Sequence, residues 1–341
     1  MNDDAVAKLD PRIRGALKYF PNTGPGPRRS RDEMVAAAAS DSALEAVERT
    51  KQFLEHMCGE ELVTSEGLQV SHHELTSQPD GNTINVIVTR PEGDDVVPAV
   101  VYLHGGGMAS MSCHYANYRA FARMVAHHGV AVVLVDFRNA IAASSIPEVA
   151  PFPAGLNDCV SGFRWTRAHA DELGIDPSRV VIAGESGGGN LTLASGLRLL
   201  ADGDIDDVHG LYAFAPYIAG EWPQERYPST IENDGIMISP RSHSGQVGYG
   251  QDAWDRQDIQ AWPGLATPDD LAGLPKTVVV VNECDPLRDE GIDFYRKLLD
   301  AQVPARCRQV MGTMHATEIV PFLCPEISDD AARDLAAFAS S

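Results

Sequence analysis

Gly184-Glu185-Ser186-Gly187-Gly188 sets a serine among small residues, after the apolar run Val180–Ala183 and before a helix-forming stretch, Asn190–Leu200. A serine in such a strand–turn–helix setting is held in a tight turn, and small neighbours are needed to avoid collision. Its chemistry would be attack on a carbonyl carbon. A glycine-rich turn with an incidental serine is the plainer alternative. A nucleotide-binding loop fits less well, because G-x-G-x-x-G and a Walker lysine are both missing. His104-Gly105-Gly106-Gly107 follows a second apolar run, Ala99–Leu103. Glycines there let the backbone approach a substrate oxygen closely. The N–H groups of Gly105, Gly106 and Gly107, with that of Gly187, would form an oxyanion hole. His104 is expected to brace this loop rather than transfer protons.

A serine nucleophile needs a base, and the base needs an orienting acid. After such an elbow the partners follow in the order acid, then histidine. Of eleven histidines, His315 is the only one beyond residue 243. His209 and His243 follow Ser186 but precede the apolar run Val278–Val281, whose end should present the acid. His315 sits in a loop after the strand-like Ala305–Val310. Asp285 is the favoured acid because it leaves Val278–Val281 at a turn fixed by Pro286. Glu283 and Asp289 compete, and Asp289 suits the first turn of the following helix better.

These residues need a scaffold that gathers distant loops. Gln69–Leu75 and Thr83–Thr89 alternate as strands do and are joined by the turn signal Pro79-Asp80-Gly81. The runs Ala99–Leu103, Val130–Phe137, Val180–Ala183, Leu211–Ala215 and Val278–Val281 are Val-rich and unalternating. Such runs suit strands buried on both faces of a parallel sheet. Helical spacing separates most of them, as at Leu156, Val160, Phe163 and Ala170. The pattern predicts an α/β fold, a mostly parallel central sheet flanked by helices, with a leading hairpin.

Residues 1–65 read as helical and irregular, broken at Pro21–Pro27. Ser42 and Glu45 have capping-box spacing. Leu44, Val47, Leu54 and Met57 share a helical face that must cover something. More than 60 residues separate the runs at 211–215 and 278–281, too many for an ordinary crossover. That gap holds Tyr217, Trp222, Tyr227, Tyr249, Trp254 and Trp262. Residues 1–65 with 217–262 are therefore expected to form a cap, over a core of 66–216 with 263–341.

Composition narrows the partners. The 341 residues carry a net charge of −21, which repels phosphate backbones and anionic lipid. No nucleic acid or membrane partner is expected. No run of 18 apolar residues exists. The start MNDDAVAKLD lacks the apolar stretch of a signal peptide, so a reducing cytoplasm is the expected location. Six scattered cysteines show no zinc spacing. No metal and no cofactor is expected, and a homo-oligomer is left open.

His104-Gly105-Gly106-Gly107, Gly184-Glu185-Ser186-Gly187-Gly188 and Asp285-Pro286-Leu287-Arg288-Asp289-Glu290-Gly291 resemble the motifs of the bacterial hormone-sensitive-lipase-like esterases, in the same order from about residue 95 onward. Asp136-Phe137-Arg138-Asn139-Ala140 and Glu232-Asn233-Asp234-Gly235 look more like the brefeldin A esterase branch. The chain departs from typical members at Gly187, where alanine is common, at DFRNA in place of DYRLAPE, and at Ala316. The resemblance implies an α/β-hydrolase fold, a cap from the amino terminus and a later insertion, and short-acyl carboxylic esters as substrates. Lactone cleavage would follow if the branch resemblance extends to the pocket. Amide cleavage by the same residues and a non-catalytic small-molecule receptor are the alternatives; the latter usually lacks the histidine that His315 supplies here.

Overall fold

The computed structural model describes residues 2–19, 29–242 and 244–341. The Pro21–Pro27 break and His243 lie outside the described residues. Eight strands form one sheet: β1 (Leu68–Thr76), β2 (Thr83–Pro91), β3 (Val97–Leu103), β4 (Ala131–Asp136), β5 (Ile175–Glu185), β6 (Gly210–Phe214), β7 (Thr277–Asn282) and β8 (Ala305–Val310). Their order across the sheet is β1-β2-β4-β3-β5-β6-β7-β8. The hairpin β1–β2 is antiparallel, with Thr76 opposite Thr83, and β2 meets β4 antiparallel. All remaining pairs are parallel. The predicted strands are all present. β5 begins five residues before its expected start.

The helices that matter below are α1 (Arg31–Ala38), α2 (Asp41–Met57), α3 (Ala116–His127), α4 (Ala154–Ala168), α5 (Gly187–Asp202), α6 (Ser244–Asp255), α7 (Arg288–Asp300) and α8 (Pro325–Ser340). Two apolar clusters explain why the central strands read as unbroken Val-rich runs. Ala99, Val101 and Leu103 of β3 face one cluster, and Val100 and Tyr102 face the other. Both faces are covered, so alternation of side chains across the strand needs no polar face. The short helices Asp3–Ala7 and Pro11–Ala16 and the turn between them bury Ala5, Ile13 and Leu9 in the second cluster.

Two local expectations fail for physical reasons. Ser42 does not cap α2. Ser40 accepts from Ala43 N as N-cap, and Ser42 lies one residue inside the helix. A capping box does form two helices' ends away, where Ser30 and Glu33 satisfy each other's backbone N–H at the start of α1. The face Leu44–Val47–Leu54–Met57 is covered only at its carboxyl half. Leu54 and Met57 pack inward, whereas Leu44 and Val47 are exposed. Among the described residues no helix is long and apolar enough to cross a membrane.

The long stretch between β6 and β7 anchors itself to the core. The rings of Tyr217 and Trp222 stack at 4.3 Å, and Trp222 and Trp262 meet edge-on at 5.8 Å. Trp222 and Trp262 are fully buried. Beneath them Glu290 of α7 accepts from Ile218 N at 2.7 Å, Ala219 N at 3.1 Å and Trp222 Nε1 at 2.6 Å. Burial pushes this carboxyl up to about 8 despite its three donors.

Candidate active site

The sheet topology determines which loops meet. β3 and β5 are hydrogen-bonded neighbours, with Leu103 opposite Gly184. The loops leaving their carboxyl ends, His104–Gly107 and Gly184–Gly188, are therefore adjacent. β7 and β8 are also neighbours, with Asn282 opposite Val310, so the loops carrying Asp285 and His315 are adjacent too. All four loops leave the same edge of the parallel sheet, where ligand sites of such sheets lie.

Ser186 joins β5 to α5 with φ 56° and ψ −116°. A positive φ in a non-glycine residue costs on the order of 1–3 kcal/mol and persists only where neighbours over-determine it. Here Ser186 N donates to Phe214 O at 2.9 Å, and Ser186 O accepts from Asn190 N and Tyr217 N at 3.0 and 3.1 Å. Tight packing explains the flanking glycines. A Cβ on Gly188 would collide with the Leu103 carbonyl, and one on Gly187 would lie 2.5 Å from Met108 N.

His315 Nδ1 and Asp285 Oδ2 are 2.8 Å apart, both side chains essentially buried. Burial presses the imidazole pKa down, but the Asp285 charge and hydrogen bond outweigh it and hold the group above 6.5. The second Asp285 oxygen accepts from Leu287 N at 2.9 Å. Asn233, from the Glu232–Gly235 segment, donates to Asp285 O at 3.1 Å. The rival acids are otherwise engaged. Glu283 accepts from Gly312 N at 2.8 Å. Asp289 accepts from Ser229 N at 2.7 Å in the first turn of α7.

The glycine loop is held from below. Glu185 Oε1 accepts from Gly105 N at 2.6 Å and Tyr118 OH at 2.8 Å, and Oε2 accepts from Tyr102 OH at 2.8 Å. Burial raises this carboxyl to about 7 against those three donors. One expectation therefore changes. The Gly105 N–H points inward to Glu185 and is not free to meet an oxyanion. Gly106 N and Gly107 N meet no acceptor among the described residues. Gly187 N opens α5, where a helix has no internal partner for it. His104 is buried, stacks on Phe137 at 4.1 Å, and approaches Gly105 O at 2.9 Å through Nδ1, which makes it a loop brace.

Some participants went unread in the sequence. Tyr102 and Tyr118 hold Glu185; Tyr102 directly precedes Leu103-His104, the only hint of its place. Asn282 ties the histidine loop, donating to Thr313 Oγ1 at 2.9 Å and Glu318 Oε1 at 2.8 Å while Oδ1 accepts from Ala316 N at 3.2 Å. Ser186 and His315 open together into a cavity of about 980 Å³. Its walls come from Phe53 and Leu54 of α2, from Met237 and Ile238, and from the glycine loop. The tryptophans of 217–262 pack on the core instead; of that aromatic set only Tyr217 reaches the cavity. Among the described residues no group of three or more His, Cys, Asp or Glu is placed to hold a metal ion.

Comparison with known proteins gives a consistent picture. Residues 100–319 match the family described as alpha/beta hydrolase fold. The chain is 32% identical to carboxylesterase NlhH of Mycobacterium tuberculosis over 248 residues, covering 71% of this chain and 73% of that one. The solved structure of esterase Est22 is 53% identical, covers 98% of both chains and superposes with a TM-score of 0.94. Brefeldin A esterase, a bacterial homologue of human hormone-sensitive lipase, is 35% identical, with 98% of this chain and 93% of that one covered and a TM-score of 0.82.

Proposed function

The chain belongs to the α/β-hydrolase-fold family and is an enzyme of its carboxylesterase class; we propose that it cleaves short-acyl carboxylic esters through Ser186, His315 and Asp285. The observation that carries this is His315, paired with the buried Asp285 at 2.8 Å, opening together with the strained Ser186 into one cavity beside the glycine loop.

In the first half-reaction His315 Nε2 takes the hydroxyl proton as Ser186 Oγ bonds to the ester carbon. The carbonyl π pair moves to oxygen, where Gly106, Gly107 and Gly187 N–H groups receive it. The intermediate collapses, the carbon–alkoxy bond breaks, and the alcohol departs with the proton from His315. Water then attacks the acyl-enzyme by the same steps, releasing the acid and restoring Ser186. Asp285 keeps Nδ1 protonated and supports the imidazolium. Glu185 acts at one remove, holding the glycine loop through Gly105.

Residues 1–65 and 217–262 act as the cap in this reading. Support comes from Phe53, Leu54, Met237 and Ile238, which wall the cavity from those two stretches. Confinement by these side chains favours acyl groups below about eight carbons. A lactone is an ester closed on itself, and the likeness to brefeldin A esterase supports including lactones among the substrates. A cytoplasmic location belongs to the same reading; all six cysteines are free thiols. Replacing Ser186 with Ala should abolish hydrolysis of p-nitrophenyl acetate and butyrate by the folded protein. Retained turnover would refute the assignment.

A further inference from the structure

The chain is acidic throughout, yet the charged groups on the wall of the catalytic cavity have the opposite sign. Arg29 and Arg49 line it, and the acid that reaches it is Glu185. Glu185 is not available to a ligand as a charge partner, since Tyr102, Tyr118 and Gly105 N occupy its oxygens. Arg29 makes no ion pair within 4.0 Å among the described residues, though its charge is felt by the exposed Glu33 of α1. Arg49 has one partner, Glu45 at 3.6 Å, and both side chains are largely exposed. An exposed pair of that kind is weak and exchanges readily.

Helix geometry fixes where Arg49 stands. Ala46, Arg49, Thr50, Phe53 and Leu54 all line the cavity, and their spacing is that of one helical face. Arg49 is one turn before Phe53, about 6 Å along the axis. Arg49 is exposed while Leu54 is partly buried in the core. The face thus runs from an exposed cationic end to a buried apolar end. Arg29 enters the same cavity from the segment before α1, whose Met34 and Ala38 also line it. A ligand lying in this cavity would meet apolar walls first and two guanidinium groups toward solvent.

We propose that Arg29 and Arg49 form an anion subsite at the solvent end of the cavity, and that the enzyme accepts esters carrying a free carboxylate remote from the reacting carbonyl, such as monoesters of dicarboxylic acids. Guanidinium suits this task because its planar fork matches a carboxylate's two oxygens. The subsite also offsets a local cost, because a chain of charge −21 otherwise repels an anionic substrate. The proposal rests on the esterase reading above.

The test uses the full-length enzyme and three ethyl or choline esters of similar length: ethyl valerate, monoethyl adipate and butyrylcholine. kcat/KM is measured for each with the wild type, Arg29→Gln, Arg49→Gln and the double variant, with circular dichroism confirming the fold. We expect the ratio of monoethyl adipate to ethyl valerate to fall about tenfold in the double variant and about threefold in each single one, exposed charge pairs being modest individually. The ratio of butyrylcholine to ethyl valerate should rise. Added salt should erode the wild-type adipate ratio, as screening demands. Ratios that stay within experimental error in the double variant would overturn the subsite, as would a wild type that turns over ethyl valerate but rejects the hemiester. A wild type inactive on all three esters would instead overturn the esterase reading.

Discussion

The two sides of the cavity are built on different principles. On the sheet side, Ser186, the glycine loop and the His315–Asp285 pair sit at strand ends and are held by short, buried hydrogen bonds. On the opposite side, α2 and residues 237–240 offer mainly apolar side chains, with Arg49 of α2 among them, and Leu44, Val47 and Phe53 remain substantially exposed. Bond making tolerates little misplacement, because a shift of about 1 Å at a reacting group can cost roughly a hundredfold in rate. Substrate selection tolerates more, since one methylene in an apolar pocket is worth only about 1–3 kcal/mol. Substitutions on the two sides should therefore differ in kind. The sheet side should change kcat by orders of magnitude, and the cap side should change which ester is preferred.

The largest effect short of removing the nucleophile is expected at Asp285. Asp285→Asn should lower kcat by roughly 10³–10⁴-fold, because the amide no longer selects the useful tautomer. It should also move the pH profile. In the wild type the protonated imidazole is inactive as a base and its pKa is held above 6.5, so activity should fade as pH drops through a value above 6.5. Without the Asp285 charge the two largest raising influences are lost, and burial, opposed only by the weaker charges of Glu185 and Glu318, lowers the pKa. The residual activity of the variant should then persist to lower pH, a shift that a merely unfolded fraction would not give.

Gly188→Ala should come next. The added methyl meets the Leu103 carbonyl, a backbone atom that cannot swing away. We expect about a hundredfold loss in kcat and a loss of stability of about 1–3 kcal/mol, readable as a lower midpoint in urea. Glu185→Ala should follow, loosening the glycine loop by leaving the Tyr102 hydroxyl buried without a partner and Gly105 N held by the Tyr118 hydroxyl alone. A tenfold to hundredfold fall in kcat with little change in KM is expected, and Glu185→Gln should recover part of it. The smallest effects belong to the cap side. Phe53→Ala and Met237→Ala should shift the preferred p-nitrophenyl acyl length upward by one or two carbons, with changes of a few fold in kcat/KM.

The same division explains what the sequence makes legible. The loops proposed to carry the reaction are marked by local patterns: a serine among glycines after Val180–Ala183, three glycines after Ala99–Leu103, and Asp285-Pro286 after Val278–Val281. Each depends on residues within a few positions of one another, so it can be read as a pattern in the sequence. The direction of the Gly105 N–H depends on Glu185, eighty residues away, and local spacing does not carry it. The face that α2 turns to the cavity is hidden in the sequence for a related reason. Hydrophobic spacing favours Leu44 and Val47, but the cavity is lined by Ala46, Arg49, Thr50 and Phe53, and helix rotation is decided by what packs against it. Trp222 and Trp262 fall in the stretch assigned to the cap by position, and their rings are buried, with Trp222 Nε1 donating to Glu290 of α7.

The central claim is that Ser186 becomes covalently modified while His315 is neutral. Incubating the enzyme with a fluorophosphonate and mapping the adduct by mass spectrometry, across pH 5 to 8, tests both parts at once. We expect one adduct per chain, on Ser186, forming at a rate that falls on acidification in step with esterase activity. Stoichiometric inactivation with the adduct on another residue, or full activity in enzyme whose Ser186 is completely labelled, would contradict it.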